Sequence, residues 1–228
     1  MFERIETGHD CYPSNVLDIA PVLYVKGQPR RLMATSVSIV GARNVSEKGV
    51  RAARSLARDL VRTRRINVVS GYAKGVDSEA HLGALEAGGT TTLVLPEGIN
   101  RLYRKSAFRK YNWDRDILVV SQFPPDTGWM GRNAMARNKL VCALSKAVVV
   151  IEAGPERDAQ GKMSGTFNTG KTALSMGLPL FVLNPECLDN APAGNADLIA
   201  LGAYRLNPTN GASEIVAHMD VLALESLK

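Results

Sequence analysis

GTFNTGKT, residues 165–172, matches the G-x-x-x-x-G-K-[ST] pattern of a phosphate-cradling P-loop letter for letter. Taken at face value, it would make the chain a nucleotide hydrolase with the fold that goes with one. The flanks decide against this. A P-loop needs a strand running directly into the glycine loop and a helix beginning at the Lys-Ser/Thr pair. Here the preceding apolar run, AVVVIEA (147–153), is separated from the match by GPERDAQGKMS (154–164), a polar segment without strand character. Such hydrolases also need a later strand ending in aspartate to help hold magnesium. The later run, LPLFVLN (178–184), ends in Asn184, and the carboxylate-terminated VVVIE precedes the match. Ser164, Gly165 and Thr166 therefore read as the start of a helix, and Gly170, Lys171 and Thr172 as residues farther along it.

Outward from this stretch, strand-like and helix-like segments alternate. VSIVG (37–41), NVVSG (67–71), TTLVLP (91–96), ILVVSQF (117–123), AVVVIEA and LPLFVLN read as strands. Helical patterns fall at 46–63, with Ser46 as N-cap, and at 76–89, stopped by Gly88 or Gly89. Further helices are expected at 101–112, at 136–145, up to 177 and within 194–228. The strands are continuous apolar runs, the mark of burial on both faces in a parallel sheet. The expected class is α/β, a doubly wound, mostly parallel sheet. Residues 1–35 read as an ordered lead-in packed on the core, with turns at YPSN (12–15) and KGQPRR (26–31). Residues 36–228 read as a single domain.

The chain has 228 residues, 45% of them hydrophobic, and a formal charge of +6, which favours a polyanionic partner. No run is long and apolar enough for a membrane span, and MFERIETGHD lacks the apolar stretch of a signal peptide. Cys11, Cys142 and Cys187 lie far apart, as do His9, His81 and His218, so neither a metal site nor a disulfide set is expected. A reducing cytoplasm is the expected compartment. No cofactor motif other than the rejected P-loop stands out. No catalytic constellation is evident either. His81 reads as a satisfied helix residue, and Glu152 as a carboxylate at a strand end that can accept from a backbone amide or a sugar.

In a doubly wound fold, ligands sit beyond the carboxyl ends of the strands. The turns there are glycine-rich and basic. SGYAKGVDSEAH (70–81) offers Ser70, Gly71, Lys74 and Gly75 before a helix N-terminus. GARN (41–44) offers Gly41 and Arg43. LYRKSAFRK (102–110) adds Arg104, Lys105, Arg109 and Lys110, and GRNAMARNK (131–139) adds Arg132, Arg137 and Lys139. Several cations along one crevice suit a polyphosphate backbone better than a mononucleotide. Tyr72, Tyr103, Phe108 and Trp129 are either base-stacking groups or packing residues. Arg51, Arg54, Arg58, Arg62 and Arg65 share an arc of roughly 80° on one helix. That stripe is either a solvated face or an extension of the track.

The series IVGARNVSEKG, VVSGYAKGVDSEAHLGALEAGG, LPEGINRLYRK, LVVSQFPPDTG, ARNKLVCALSKAVVVIEA and SGTFNTGKTALSMGLPLFVLNP resembles, in order and spacing, the core of the DNA-processing protein A (DprA/Smf) family over roughly residues 12–220. The resemblance implies an extended Rossmann-like fold and a non-enzymatic, dimeric, single-stranded DNA-binding protein. It further implies loading of RecA on DNA during natural transformation or recombination. Carried over by residue, it assigns DNA contact to Gly41, Arg43, Ser70, Gly71, Lys74, Gly75, Lys105, Arg137, Asn138 and Lys139. Arg104 and the Ser164-Gly165-Thr166 rim join them. The chain departs from the family pattern at Ala42, Arg104, Ala134-Met135 and Thr166. Neither an N-terminal helical domain nor a C-terminal winged-helix domain is recognisable. A rival reading is a nucleotide sensor or phosphoribohydrolase of the same superfamily, whose catalytic glutamate position holds Thr169.

Overall fold

Six apolar runs in which every residue is buried form the centre of one sheet: β3 (Ser36–Val40), β4 (Asn67–Ser70), β5 (Thr91–Val94), β6 (Ile117–Ser121), β7 (Ala147–Val150) and β8 (Leu180–Leu183). The computed structural model describes residues 1–190 and 192–225. Three further strands complete the sheet, β1 (Glu3–Glu6), β2 (Val22–Lys26) and β9 (Tyr204–Leu206), in the order β1-β2-β6-β5-β4-β3-β7-β8-β9. All pairings from β6 to β9 are parallel, and β1–β2 and β2–β6 are antiparallel. The α/β, mostly parallel class read from the sequence is the one observed.

Helices cover both faces. On one, α1 (Glu47–Arg64), α2 (Val76–Glu86) and α7 (Gly211–Glu225) bury Leu56, Leu60, Ala80 and Ile215 against Val37, Ile39, Val149 and Phe181. On the other, α4 (Gly131–Ala143), α5 (Gly165–Ser175) and α6 (Ala193–Ala200) bury Leu140, Phe167 and Leu198 against Val40, Val148 and Val182. The short α3 (Trp113–Asp116) precedes β6. After β3 the chain winds outward through β4, β5 and β6, then returns to add β7, β8 and β9 on the other side of β3. The direction therefore reverses between β3 and β7, and the loops after those two strands part to leave a crevice.

Local signals act as the sequence suggests in several places. Ser46 Oγ accepts from Gly49 N at 3.1 Å and caps α1. Gly88, at φ +71°, follows the end of α2. The lead-in contributes strands of its own, because β1 and β2 extend the sheet past β6. Two expectations change. The segment 101–112 is not a helix. It forms two 3-10 turns, Ile99–Arg101 and Ser106–Phe108, because Phe108 is drawn into the core and Trp113 Nε1 donates to its carbonyl at 3.1 Å. α4 begins at Gly131, ahead of the expected 136. The last three residues of the expected C-terminal helical stretch lie outside the described residues.

Candidate functional site

The crevice consists of two adjoining hollows that share Arg43 as a common wall. One, of about 610 Å³, lies over the β3–β7 switch between the N-termini of α4 and α5, and Trp129, Met135 and Met163 give it apolar walls. It is termed the aromatic hollow below. The other, of about 670 Å³, lies between the α1 and α2 starts and is lined by Arg43, Lys74 and Lys105. It is termed the basic hollow.

Arg137 occupies the floor of the aromatic hollow. It projects from the second turn of α4 and is only 7% exposed. Its guanidinium lies flat on the backbone of Gly71, where any Cβ would collide with it. Burial pushes its pKa down, partly opposed by the charge of Asp77. Among the described residues Arg137 makes no ion pair and no hydrogen bond, and its Nε is fully buried without a partner. A buried cation in that state is costly unless an incoming group completes it.

Lys105 does the opposite. Its Nζ donates to the Tyr72 carbonyl at 2.7 Å, the Ala73 carbonyl at 3.0 Å and Ser78 Oγ at 2.9 Å, and it lies 4.2 Å from the Tyr72 ring centre. Its backbone N–H donates to Tyr72 Oη at 2.9 Å. All three ammonium donors are thus used to hold the 72–78 turn, which carries Tyr72 at φ +60° and Gly75 at φ +82°. Both are strained or glycine-only conformations that need such support. At Gly75 a side chain would also strike the Ala42 carbonyl. Lys105 is a buttress of the crevice as well as part of its lining.

The remaining predicted residues separate by position. Gly41, Arg43, Asn138, Ser164, Gly165 and Thr166 line the aromatic hollow, and Arg43, Lys74, Gly75 and Lys105 the basic one. Gly71 lies beneath Arg137. Ser70 is fully buried and donates its hydroxyl to the Ile39 carbonyl at 2.6 Å, so its side chain holds β4 to β3. Asn138 donates to the Gly165 carbonyl at 3.2 Å and ties α4 to the start of α5. Lys139 lines neither hollow, since the helical turn from Arg137 rotates it outward. Arg104 stacks at 4.7 Å over Trp113. Asp77, 5% exposed, and Lys162 do not stand out as site residues in the sequence, yet both line the aromatic hollow. Of the four aromatic candidates, Tyr72 and Phe108 are core, whereas Tyr103 and Trp129 are exposed.

Helix ends complete the electrostatics. Ser164 Oγ accepts from Phe167 N at 3.2 Å and caps α5, and Gly165 and Thr166, whose amides have no acceptor among the described residues, line the aromatic hollow. The N-cap position of α4 is Met130, which provides no side-chain cap. The N-terminus of α1 is closed, because Glu152 Oε2 accepts from Ser46 N at 3.1 Å and Ser46 Oγ at 2.9 Å. Asn195 sets the neighbouring loop. Fully buried, it donates to the Ile151 and Leu183 carbonyls and accepts from Ala153 N, at 2.8–2.9 Å.

Two sequence motifs are consumed structurally. Lys171 is the seventh residue of α5 and pairs with Glu156 at 2.8 Å, far from where a P-loop lysine would act. Thr169, where the hydrolases would carry a glutamate, turns its hydroxyl back to the Gly165 carbonyl at 2.8 Å. The arginine stripe of α1 is largely paired. Arg54 contacts Glu79 and Glu86, Arg58 contacts Glu86, and Arg51 contacts Glu47. Arg54 and Arg58 hold the Glu86 pKa down at about 2. By contrast Arg43, Lys74 and Lys162 in the crevice make no ion pair among the described residues. His81 is buried, with Nδ1 2.6 Å from Thr91 Oγ1 and Nε2 unpartnered, and burial lowers its pKa to about 3.

Comparison with known proteins agrees with this geometry. The model of the DNA recombination-mediator protein A family matches residues 3–219. The DNA processing protein DprA of Streptococcus pneumoniae is 32% identical over 199 residues, covering 85% of this chain and 67% of that protein. Protein Smf of Escherichia coli is 31% identical over 204 residues, 87% of this chain but 52% of its own length. This chain thus spans about two thirds of the one relative and about half of the other. A solved structure of DNA processing protein A from Helicobacter pylori, concerned with its single-stranded DNA binding mode, superposes with a TM-score of 0.76 at 26% identity, covering 96% of this chain and 97% of that one. With the matching model spanning nearly its whole length, the chain belongs to the DNA recombination-mediator protein A family.

Proposed function

We propose that this protein binds single-stranded DNA along the crevice and acts in DNA processing, without chemistry of its own. One observation carries the reading. The exposed cations of the crevice, Arg43, Lys74 and Lys162, are unpaired among the described residues, whereas all those of the neighbouring helix α1 except Arg62 contact carboxylates. Free cations beside open helix N-termini are what a run of phosphates requires. The single-stranded DNA binding attributed to the Helicobacter pylori relative supports the same ligand.

Finer parts of the proposal follow from kinship. Delivery of the strand to RecA suits a recombination mediator. A homodimer suits the exposed apolar groups Tyr204, Val221 and Leu222, near one another on β9 and α7. The three free cysteines suit a reducing cytoplasm. Among the described residues no helix is long and apolar enough to cross a membrane.

The test is fluorescence anisotropy with a labelled thymidine 20-mer over a salt series. The triple variant Arg43→Ala, Lys74→Ala and Lys162→Ala removes exposed, unpaired side chains and leaves the fold alone. Its log–log salt slope should fall by about 2, at roughly 0.7 for each phosphate no longer neutralised. Unchanged affinity and slope would refute the proposed track. Magnesium-dependent ATP turnover abolished by Lys171→Ala would refute the non-enzymatic part.

A further inference from the structure

The aromatic hollow contains two buried groups of opposite charge that do not meet. Arg137 and Asp77 are 7% and 5% exposed, and the charge of Asp77 is felt at Arg137, yet among the described residues they form no ion pair. Asp77 Oδ2 accepts from the Ala73 N–H at 3.2 Å. Among the described residues its Oδ1 has no donor, and the Nη atoms of Arg137 have no acceptor. Donors and an acceptor thus face one hollow from two places on its floor.

A phosphate laid on Arg137 would lie beside the Asp77 carboxylate, and like charges repel strongly where water is scarce. A neutral ring with acceptors on one edge and donors on another satisfies both groups at once. The walls fit such a ring. Trp129, 58% exposed, offers a flat face, and Met135 and Met163 offer polarisable ones. The phosphates then remain with Arg43, the residue both hollows share, and with the Gly165 and Thr166 amides.

Resting on the single-stranded DNA reading, we infer that the aromatic hollow is a nucleobase pocket in which Arg137 and Asp77 together select guanine. Guanine presents adjacent acceptors, O6 and N7, to a guanidinium fork. It also presents adjacent donors, N1–H and N2–H, to a carboxylate. Adenine and cytosine offer the carboxylate one amino group. Thymine offers it a single ring N–H and presents a methyl group where guanine has N7. The pocket therefore favours strands with a guanine over strands of thymine alone, while the salt-dependent backbone contacts are shared by all sequences.

The experiment compares four 20-mers of repeating TTTTX, with X guanine, adenine, cytosine or thymine, the spacing preventing guanine from self-associating. Anisotropy should show the guanine oligomer binding about tenfold tighter than the thymine one, the scale of one bidentate base contact. Their salt slopes should be equal. Asp77→Asn keeps the acceptor for Ala73 N and the side-chain shape, so it should bring the ratio of guanine to thymine affinity from about tenfold down to about one. Trp129→Ala, at an exposed position, should weaken all four oligomers together. Equal affinity for all four, or a guanine preference that survives Asp77→Asn, would overturn the inference while the thymine oligomer still reports strand binding. Trp129→Ala without effect on any oligomer would overturn the pocket assignment. Failure of every oligomer to bind would overturn the function itself, and this inference with it.

Discussion

Replacing Arg137 with methionine should make the free protein more stable and impair its binding. Arg137 is 7% exposed and, among the described residues, without a partner, and its Nε is a fully buried, unsatisfied donor. One orphaned buried donor costs about 1–3 kcal/mol. The lost hydration of the charge adds to that cost, and the attraction of Asp77 and Glu97 offsets part of it. Methionine keeps the aliphatic stem that packs along α4 and removes both penalties. The net gain is taken as about 1–3 kcal/mol, which for a chain of this size raises Tm by roughly 2–10 °C. Binding moves the other way, because charge-assisted hydrogen bonds contribute about 1.5–3 kcal/mol, or roughly 10- to 100-fold in affinity. Thermal melts with and without a guanine-containing oligomer read both effects. Wild-type Tm should rise with ligand, and the variant should start higher and rise little. A variant that melts lower than wild type, or that keeps its ligand-induced rise, would refute the role of Arg137 as a cation held ready for a ligand.

Three further outcomes follow from other contacts. Lys105→Met releases three hydrogen bonds to the 72–78 turn, and should cost about 2–3 kcal/mol in urea unfolding and weaken binding of every oligomer alike. Asn195→Ala strands one N–H and two carbonyls in a fully buried site, and should lower stability by about 2–4 kcal/mol in the same assay. His81 is neutral in the fold, with a pKa of about 3, against about 6.5 unfolded. Unfolding therefore takes up a proton below pH ~6.5, and the stability present above that pH declines as pH falls toward 3. Between about pH 6.5 and 5 the His81 share of the loss is roughly 2 kcal/mol, and unfolding midpoints for His81→Gln should show that much less acid sensitivity.

The sequence makes the central sheet legible because β3 to β8 are buried on both faces, so their apolar runs are uninterrupted and local. The outer strands are harder. In β1 a single residue, Ile5, is buried, and in β2 the buried Leu23 and Val25 alternate with half-buried Val22, Tyr24 and Lys26. Their identity as strands depends on β6, where Tyr24 pairs with the distant Ser121, and no local pattern carries that. The segment 101–112 has helix-like spacing, but Lys105 is bound to the turn at Tyr72 and Phe108 to the core, and those long-range contacts prevail. At the site, glycines and basic residues at strand ends locate the crevice. What they do not reveal is the division of labour. Lys105 and Arg137 look equivalent as letters, yet one is saturated and the other unpartnered among the described residues. Asp77 reads as the first-turn acid of a helix, and its open oxygen becomes visible only when the 72–78 turn is folded over it.

Glu152 has a consequence for what the protein can sense. In dinucleotide-binding proteins of this architecture, the pyrophosphate rests on the first helix after the switch. Here the amide and hydroxyl of the N-cap Ser46 already hold a carboxylate from the chain itself. A small nucleotide that brought its phosphates there would meet that negative charge. That end of the crevice is thus a poor seat for a dinucleotide, and the phosphate sites left open lie on the side of α4 and α5.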